Sequence, residues 1–134
     1  MVALAARDRY QQLHVESAGK NQLVLMLYEG AIRFLWEARQ HMAAAEHEAQ
    51  SAAITRAQRI LTELTCALDL EVGGDLARSL QALYAHLHRR LTEANVRSDL
   101  VGITEVSDVL ADLLEAWKEA DRRCRASAPA RMCA

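Results

Sequence analysis

Few residues in this chain would break a helix or cross-link a fold. Its 134 residues include five glycines, one proline (Pro129, near the end), and only two tryptophans, three tyrosines and one phenylalanine. The three cysteines, Cys66, Cys124 and Cys133, are odd in number, widely spaced and without a C-x-x-C motif. We expect them to be reduced thiols, which argues against a disulfide framework and against a zinc site.

The chain also lacks a strong net charge and a long apolar run. Its formal net charge of -2 gives no electrostatic reason to expect nucleic acid or an anionic membrane as a partner. The N-terminus reaches Arg7 and Asp8 too early for a signal peptide. No apolar run approaches the roughly 18 residues that a transmembrane helix needs. We therefore expect a cytosolic protein that does not insert into a membrane.

Alanine, leucine, glutamate and arginine dominate the composition, which favours helices. Apolar residues at steps of three and four predict four amphipathic helices. The first is expected from about Lys20 to Ala45. Ser51, Asp75 and Ser98 are expected to cap the next three, and Gly73-Gly74 to end the second.

Each predicted helix carries one apolar face that can point into a shared core. In the first helix this face is Val24, Leu27, Tyr28, Ala31, Leu35, Ala38 and Met42, and in the third it is Leu76, Leu80, Leu83, Tyr84, Leu87, Leu91 and Ala94. Short connections between such helices favour antiparallel neighbours. We predict an all-α single domain, an antiparallel up-down four-helix bundle at residues 19–125. An N-terminal arm (1–18), with room for a short helix, precedes it, and a disordered tail (126–134) follows.

Motifs for catalysis or metal binding are missing. A di-iron bundle needs Glu-x-x-His on two helices, and none of the five histidines has a glutamate three residues before it. Glycine-rich phosphate loops and nucleophile motifs do not occur either. We expect no enzymatic activity, no cofactor and no metal. A metal-dependent bundle enzyme is the weakest of the alternatives.

One apolar stripe exceeds what a bundle core requires. On a helical wheel Leu25, Ile32 and Trp36 fall some 100–140° from the core face of the first helix. Something must cover this second stripe. The candidates are the arm, through Tyr10 and Leu13, a second copy of the protein, or another chain bound as a helix in a groove. The first and third candidates are compatible: the arm would lie on the stripe in the free protein, and the partner chain would move it aside on binding.

Six blocks of sequence follow one another at characteristic intervals along residues 10–118. They are Leu23-x-x-Met26-Leu27-Tyr28-Glu29-Gly30-Ala31-Ile32, Arg56-Ala57-Gln58-x-Ile60-Leu61-x-Glu63-Leu64, Leu68-Asp69-x-Glu71-x-Gly73-Gly74, Leu80-x-x-Leu83-Tyr84, Arg90-Leu91-x-x-Ala94-Asn95 and Ala116-Trp117. Together they resemble the flagellar secretion chaperone family FliS, the export chaperones of flagellin. In one departure, Ser17-Ala18-Gly19-Lys20 stands where the family usually has Thr-Ala-Ser-Pro. Gly19 is then expected to cap the first helix and to give the arm a pivot.

The resemblance implies a cytosolic chaperone that binds the disordered C-terminal segment of flagellin. Bound flagellin cannot polymerise prematurely and is delivered to the flagellar type III export gate. The family is not enzymatic and uses no cofactor. We expect the partner-binding residues to be Tyr10, Leu13, Leu25, Tyr28, Ile32 and Trp36. An anti-sigma factor as a further partner, and a homodimer formed through the surplus stripe, stay open as alternatives.

Overall fold

The computed structural model describes residues 17–127, and this stretch consists of four α-helices joined by short turns. They are α1 (Ser17–Ala43), α2 (His47–Cys66), α3 (Leu70–Arg97) and α4 (Leu100–Ser127). The described residues contain no β-strand, which confirms the predicted all-α fold. The first helix includes Ser17 and Ala18, which were assigned to the arm, and α4 includes Ala126 and Ser127, which were assigned to the tail.

The helices form a ring of neighbours. α1 packs against α2 and α4, and α3 packs against the same two helices from the other side. Turns of two or three residues reverse the chain between successive helices, so each helix runs antiparallel to the next. This is the predicted up-down bundle. Among the described helices, none is both long enough and apolar enough to cross a membrane.

The core consists of apolar side chains contributed by all four helices. Tyr28, Ala31 and Leu35 of α1 are fully buried, as their three- and four-residue spacing predicts. Leu87, in the middle of the α3 stripe, is also buried. Among the largest fully buried side chains of the other helices are Ile54, Leu61, Leu91, Ile103, Val106 and Leu110.

The turn between α1 and α2 differs from its prediction. Ala45 takes a left-handed conformation (φ 59°), and the Glu46 amide donates to the carbonyl of His41. α2 therefore begins at His47, four residues before the predicted cap Ser51. The Ser51 hydroxyl instead donates to the Asn95 side chain on α3. Gly19, predicted as a cap and pivot, lies inside α1.

The second helix ends earlier than the glycine pair at which its end was predicted. α2 ends at Cys66, and the Asp69 carboxylate caps α3 by accepting the amide hydrogens of Glu71 and Val72. The chain then continues as helix through Gly73 and kinks at Gly74 (φ 53°, ψ -129°), a conformation that only glycine adopts without strain. Gly74 thus separates the first turn of α3 from the rest of the helix, which resumes at the predicted position, Asp75.

The turn between α3 and α4 also uses a different cap. Ser98, expected to start α4, is the left-handed residue that ends α3 (φ 49°). The next residue, Asp99, accepts the amide hydrogen of Gly102 and so caps α4. Serine and aspartate are both good caps, and only the path of the turn selects between adjacent candidates.

The cysteines do not share one state. Cys66 is a free, exposed thiol at the end of α2. Cys124 is disulfide-bonded, so the prediction of reduced thiols is wrong for this residue. Cys133 lies outside the described residues.

Candidate partner-binding site

Large apolar side chains remain exposed at the start of α3. Leu70, Val72 and Leu76 are 40%, 81% and 66% exposed. The first two lie in the single turn between the Asp69 cap and the Gly74 kink, and Leu76 follows the kink. Further exposed apolar residues are Met26 and Trp36 on α1, and Val96, Leu100 and Val101 near the turn between α3 and α4.

Leu76 forms one edge of an apolar groove between α3 and α4. The other lining residues are Leu80 on α3 and Leu113, Ala116 and Trp117 on α4. Leu76 was predicted to face the core, and its exposure corrects that prediction. We call this set of five residues the α3/α4 groove.

α3 and α4 are in close contact near their connected end. There, a Cβ added at Gly102 would lie 3.0 Å from the Cβ of Ala94, so a larger residue at position 102 would force its neighbours to shift. At the far end an open gap between the two helices has a volume of about 210 Å³. A cavity of about 150 Å³ lined by aliphatic and aromatic side chains can hold a benzene molecule. The groove therefore has room for about one or two apolar side chains of a partner, and not for a whole helix.

Charged side chains flank the groove in sequence but do not line it. Asp75 and Arg78, on either side of Leu76, form an exposed ion pair with an N–O distance of 2.6 Å. Lys118, next to Trp117, lies 3.6 Å from Glu115 on the same helix and 4.0 Å from Glu29 on α1. Exposed pairs of this kind add little stability. The chemistry of the groove itself is apolar, so it is suited to hydrophobic anchors.

A buried hydrogen-bond network lies behind the groove wall. The indole Nε1 of Trp117 donates to the Tyr28 hydroxyl at 3.0 Å. The hydroxyls of Tyr28 and Tyr84 are hydrogen-bonded to each other, with ring centroids 6.4 Å apart. Burial raises the pKa of both tyrosines above the ordinary value. The network joins α1, α3 and α4 beneath the groove.

The predicted site residues on α1 do not form one open surface. Leu25 and Ile32 are half-buried and pack against the core, Tyr28 is fully buried, and Trp36 is 53% exposed. The prediction that the stripe needs an outside cover is therefore too strong. α1 packs against two neighbouring helices, so it requires apolar residues on two flanks. Tyr10 and Leu13 lie outside the described residues.

Sequence reasoning missed the groove, although it assigned two of the groove's residues to an apolar helix face. Leu76 and Leu80 were placed on the inward face of the third helix, but an inward face does not show that a gap remains beside a neighbouring helix. The available signal was Leu76, an apolar residue two positions after the Gly73-Gly74 pair. In the described part of the chain, no three His, Cys, Asp or Glu residues are arranged to hold a metal ion.

Fold and site together define an antiparallel helical bundle with an open apolar groove at one end. A family model described as "Flagellar protein FliS" matches residues 3–124, and the chain belongs to this family. It is 38% identical to the flagellar secretion chaperone FliS of Salmonella typhimurium, over 82% of this chain and 85% of the relative. It is 34% identical to the FliS of Bacillus subtilis, over 83% of this chain and 82% of the relative. It is 33% identical to the FliS of Escherichia coli, over 89% of this chain and 91% of the relative.

Proposed function

We propose that this protein is a cytosolic export chaperone that binds the disordered C-terminal segment of flagellin. Binding would prevent premature polymerisation, and the complex would be delivered to the flagellar type III export gate, the second partner. The protein acts by binding, without catalysis or a cofactor. The observation that carries this proposal is the α3/α4 groove of a chain that belongs to the FliS family.

The groove suits a client that is disordered when free and helical when bound. An amphipathic helix presents apolar side chains at steps of three and four, and one or two of them fill a pocket. Leu76, Val72 and Leu70 extend the apolar surface beyond the groove. A client helix anchored in the groove would cover these side chains, which water otherwise contacts.

The surface of α1 is a second contact in this proposal. Trp36 is exposed, and Leu25 and Ile32 are only partly covered. The arm residues Tyr10 and Leu13 would lie on this surface in the free protein, and flagellin would replace them. An exposed apolar surface is a hazard for solubility, which is the physical reason for such a cover.

Exposure of Trp36 and Met26, 53% and 56%, also favours a second candidate function. In it, the bundle is a structural or regulatory protein that dimerises through α1. The two candidates differ in their dependence on concentration. A chaperone that binds flagellin one-to-one keeps its monomer mass on dilution, whereas a dimer dissociates.

The test is co-expression with the flagellin encoded in the same genome, followed by purification through a tag on the chaperone. Full-length flagellin should co-purify, and flagellin without its C-terminal segment should not. Retention of the truncated flagellin, or loss of both forms, would contradict the proposal. The mass of the free chaperone, measured by light scattering over a hundredfold range of concentration, separates the dimer candidate.

A further inference from the structure

The network behind the groove contains more hydrogen-bond donors than it can use. Trp117 Nε1–H, Tyr28 O–H and Tyr84 O–H supply three donor hydrogens, but only two hydrogen bonds join the groups. An indole nitrogen can only donate, so Trp117 depends on the oxygen of Tyr28. Either tyrosine can donate in the bond between Tyr28 and Tyr84, because the Tyr28 oxygen can accept from both Trp117 and Tyr84. The direction of the bond from Trp117 to Tyr28 is fixed in either case.

The hydrogen bond to Tyr28 fixes the orientation of a groove wall. Trp117 lines the groove with its ring, while its single polar atom is turned inward to an oxygen on a fully buried residue. Without that acceptor the N–H would be left unpaired in an apolar environment, which is costly. The indole would then turn its N–H towards the groove and water, and the groove would lose part of its apolar wall.

We infer that Tyr28 is a positioning residue for partner binding, acting through the indole of Trp117 without touching the partner. This rests on the proposed function, in which an apolar client segment occupies the α3/α4 groove. It also accounts for a fully buried tyrosine at a position where phenylalanine would fill almost the same volume.

The chain offers a matched pair of variants. Tyr28→Phe removes the acceptor of Trp117, and Tyr84→Phe removes the other buried hydroxyl but leaves that acceptor in place. Tyr28→Phe should weaken binding of the flagellin C-terminal segment by roughly five- to a hundredfold, the range expected for one unpaired donor. Tyr84→Phe should change affinity less than about twofold, because Trp117 keeps its partner. Equal losses in both variants would overturn the inference.

The orientation of the Trp117 indole can be measured in the absence of flagellin. In a Trp36→Phe background, Trp117 is the one tryptophan that remains. Adding Tyr28→Phe should speed the hydrogen exchange of the indole N–H and shift its NMR resonance, whereas adding Tyr84→Phe should leave slow exchange. Unchanged indole exchange in the Tyr28→Phe variant would overturn the inference. Failure of the wild-type protein to bind flagellin would contradict the proposed function but would not affect this readout.

A double-mutant cycle separates positioning from a general loss of packing. Trp117→Phe keeps an apolar ring in the groove wall and removes the N–H. In that background Tyr28→Phe should cause no further loss of affinity, because the groove-wall donor that needs the Tyr28 oxygen has been removed. If Tyr28→Phe weakens binding equally with and without the Trp117 N–H, then Tyr28 does not act through Trp117 and the inference is wrong. If the Tyr28→Phe single variant misfolds, the affinity of Trp117→Phe can still be compared with that of the Trp117→Phe, Tyr28→Phe double variant.

Discussion

Replacing Leu76 by alanine is expected to weaken flagellin binding while leaving the fold intact. Full burial of a leucine side chain stabilises by about 1.5–3 kcal/mol. Leu76 is still 66% exposed in the free protein, so about two-thirds of this gain, roughly 1–2 kcal/mol, is left to be realised when a client covers it. The expected loss of affinity is about 5- to 30-fold.

The fold should tolerate the change for two reasons. An exposed side chain contributes little to the core, and substitutions at such positions usually change stability by about 0.5 kcal/mol or less. Alanine is also the best helix former, so α3 gains slightly in local propensity. Val96→Ala is the matched control, since Val96 is 81% exposed at the opposite end of the same helix and outside the groove.

The assay is fluorescence anisotropy of a labelled flagellin C-terminal peptide, with thermal unfolding recorded for every variant. Leu76→Ala should lower affinity, and Val96→Ala should not. A Trp36→Ala variant tests the α1 surface in the same assay. If Trp36→Ala weakens binding and Leu76→Ala has no effect, the client binds on α1 and the assignment to the α3/α4 groove is refuted.

Three further predictions concern stability. Leu87 is 3% exposed, so Leu87→Ala should lower the unfolding free energy by about 2–5 kcal/mol; a melting temperature within a degree of wild type would contradict this. Gly74 has φ 53°, so Gly74→Ala should cost about 1–3 kcal/mol in denaturant unfolding, and an unchanged midpoint would show that the kink relaxes. Burial raises the pKa of Tyr28 and Tyr84 in the folded state. Their contribution to the free energy of unfolding is therefore complete below the ordinary tyrosine pKa near 10 and is lost as pH rises above it. Absorbance of phenolate should therefore appear for these two residues together with loss of helical circular dichroism, and ionisation of all tyrosines before unfolding would refute the burial argument.

The helices were predictable because their signal is local. Residues such as Leu87 and Leu91 repeat at helical spacing, and any packing partner would bury that face. Caps were less predictable, since several good candidates stand close together. Asp69 and not Asp75 caps the start of α3, and Asp99 and not Ser98 caps α4. The direction in which the chain leaves the previous helix determines which candidate is used. That direction depends on contacts between helices and is not encoded in either residue alone.

The candidate site was predictable only in part. Tyr28 was expected both in the core and at the partner site, and the structure places it in the core with a hydrogen bond to Trp117 in the groove wall. On a helical wheel, Leu25 and Ile32 seemed to exceed what the bundle core requires, because the wheel represents one helix without its neighbours. In the bundle α1 has two neighbours, and residues on its flanks are partly used by the fold.

The sequence alone determined four amphipathic helices, their order, their antiparallel arrangement and the family, because periodicity, short connections and motif spacing are properties of the chain. Tertiary structure alone decided where the apolar surface stays open. α3 and α4 are in close contact at Gly102, near their connected end, and an apolar groove lies between them at the other end. Whether Leu76 is buried or exposed depends on the distance between two helix axes, which no pattern within a single helix specifies.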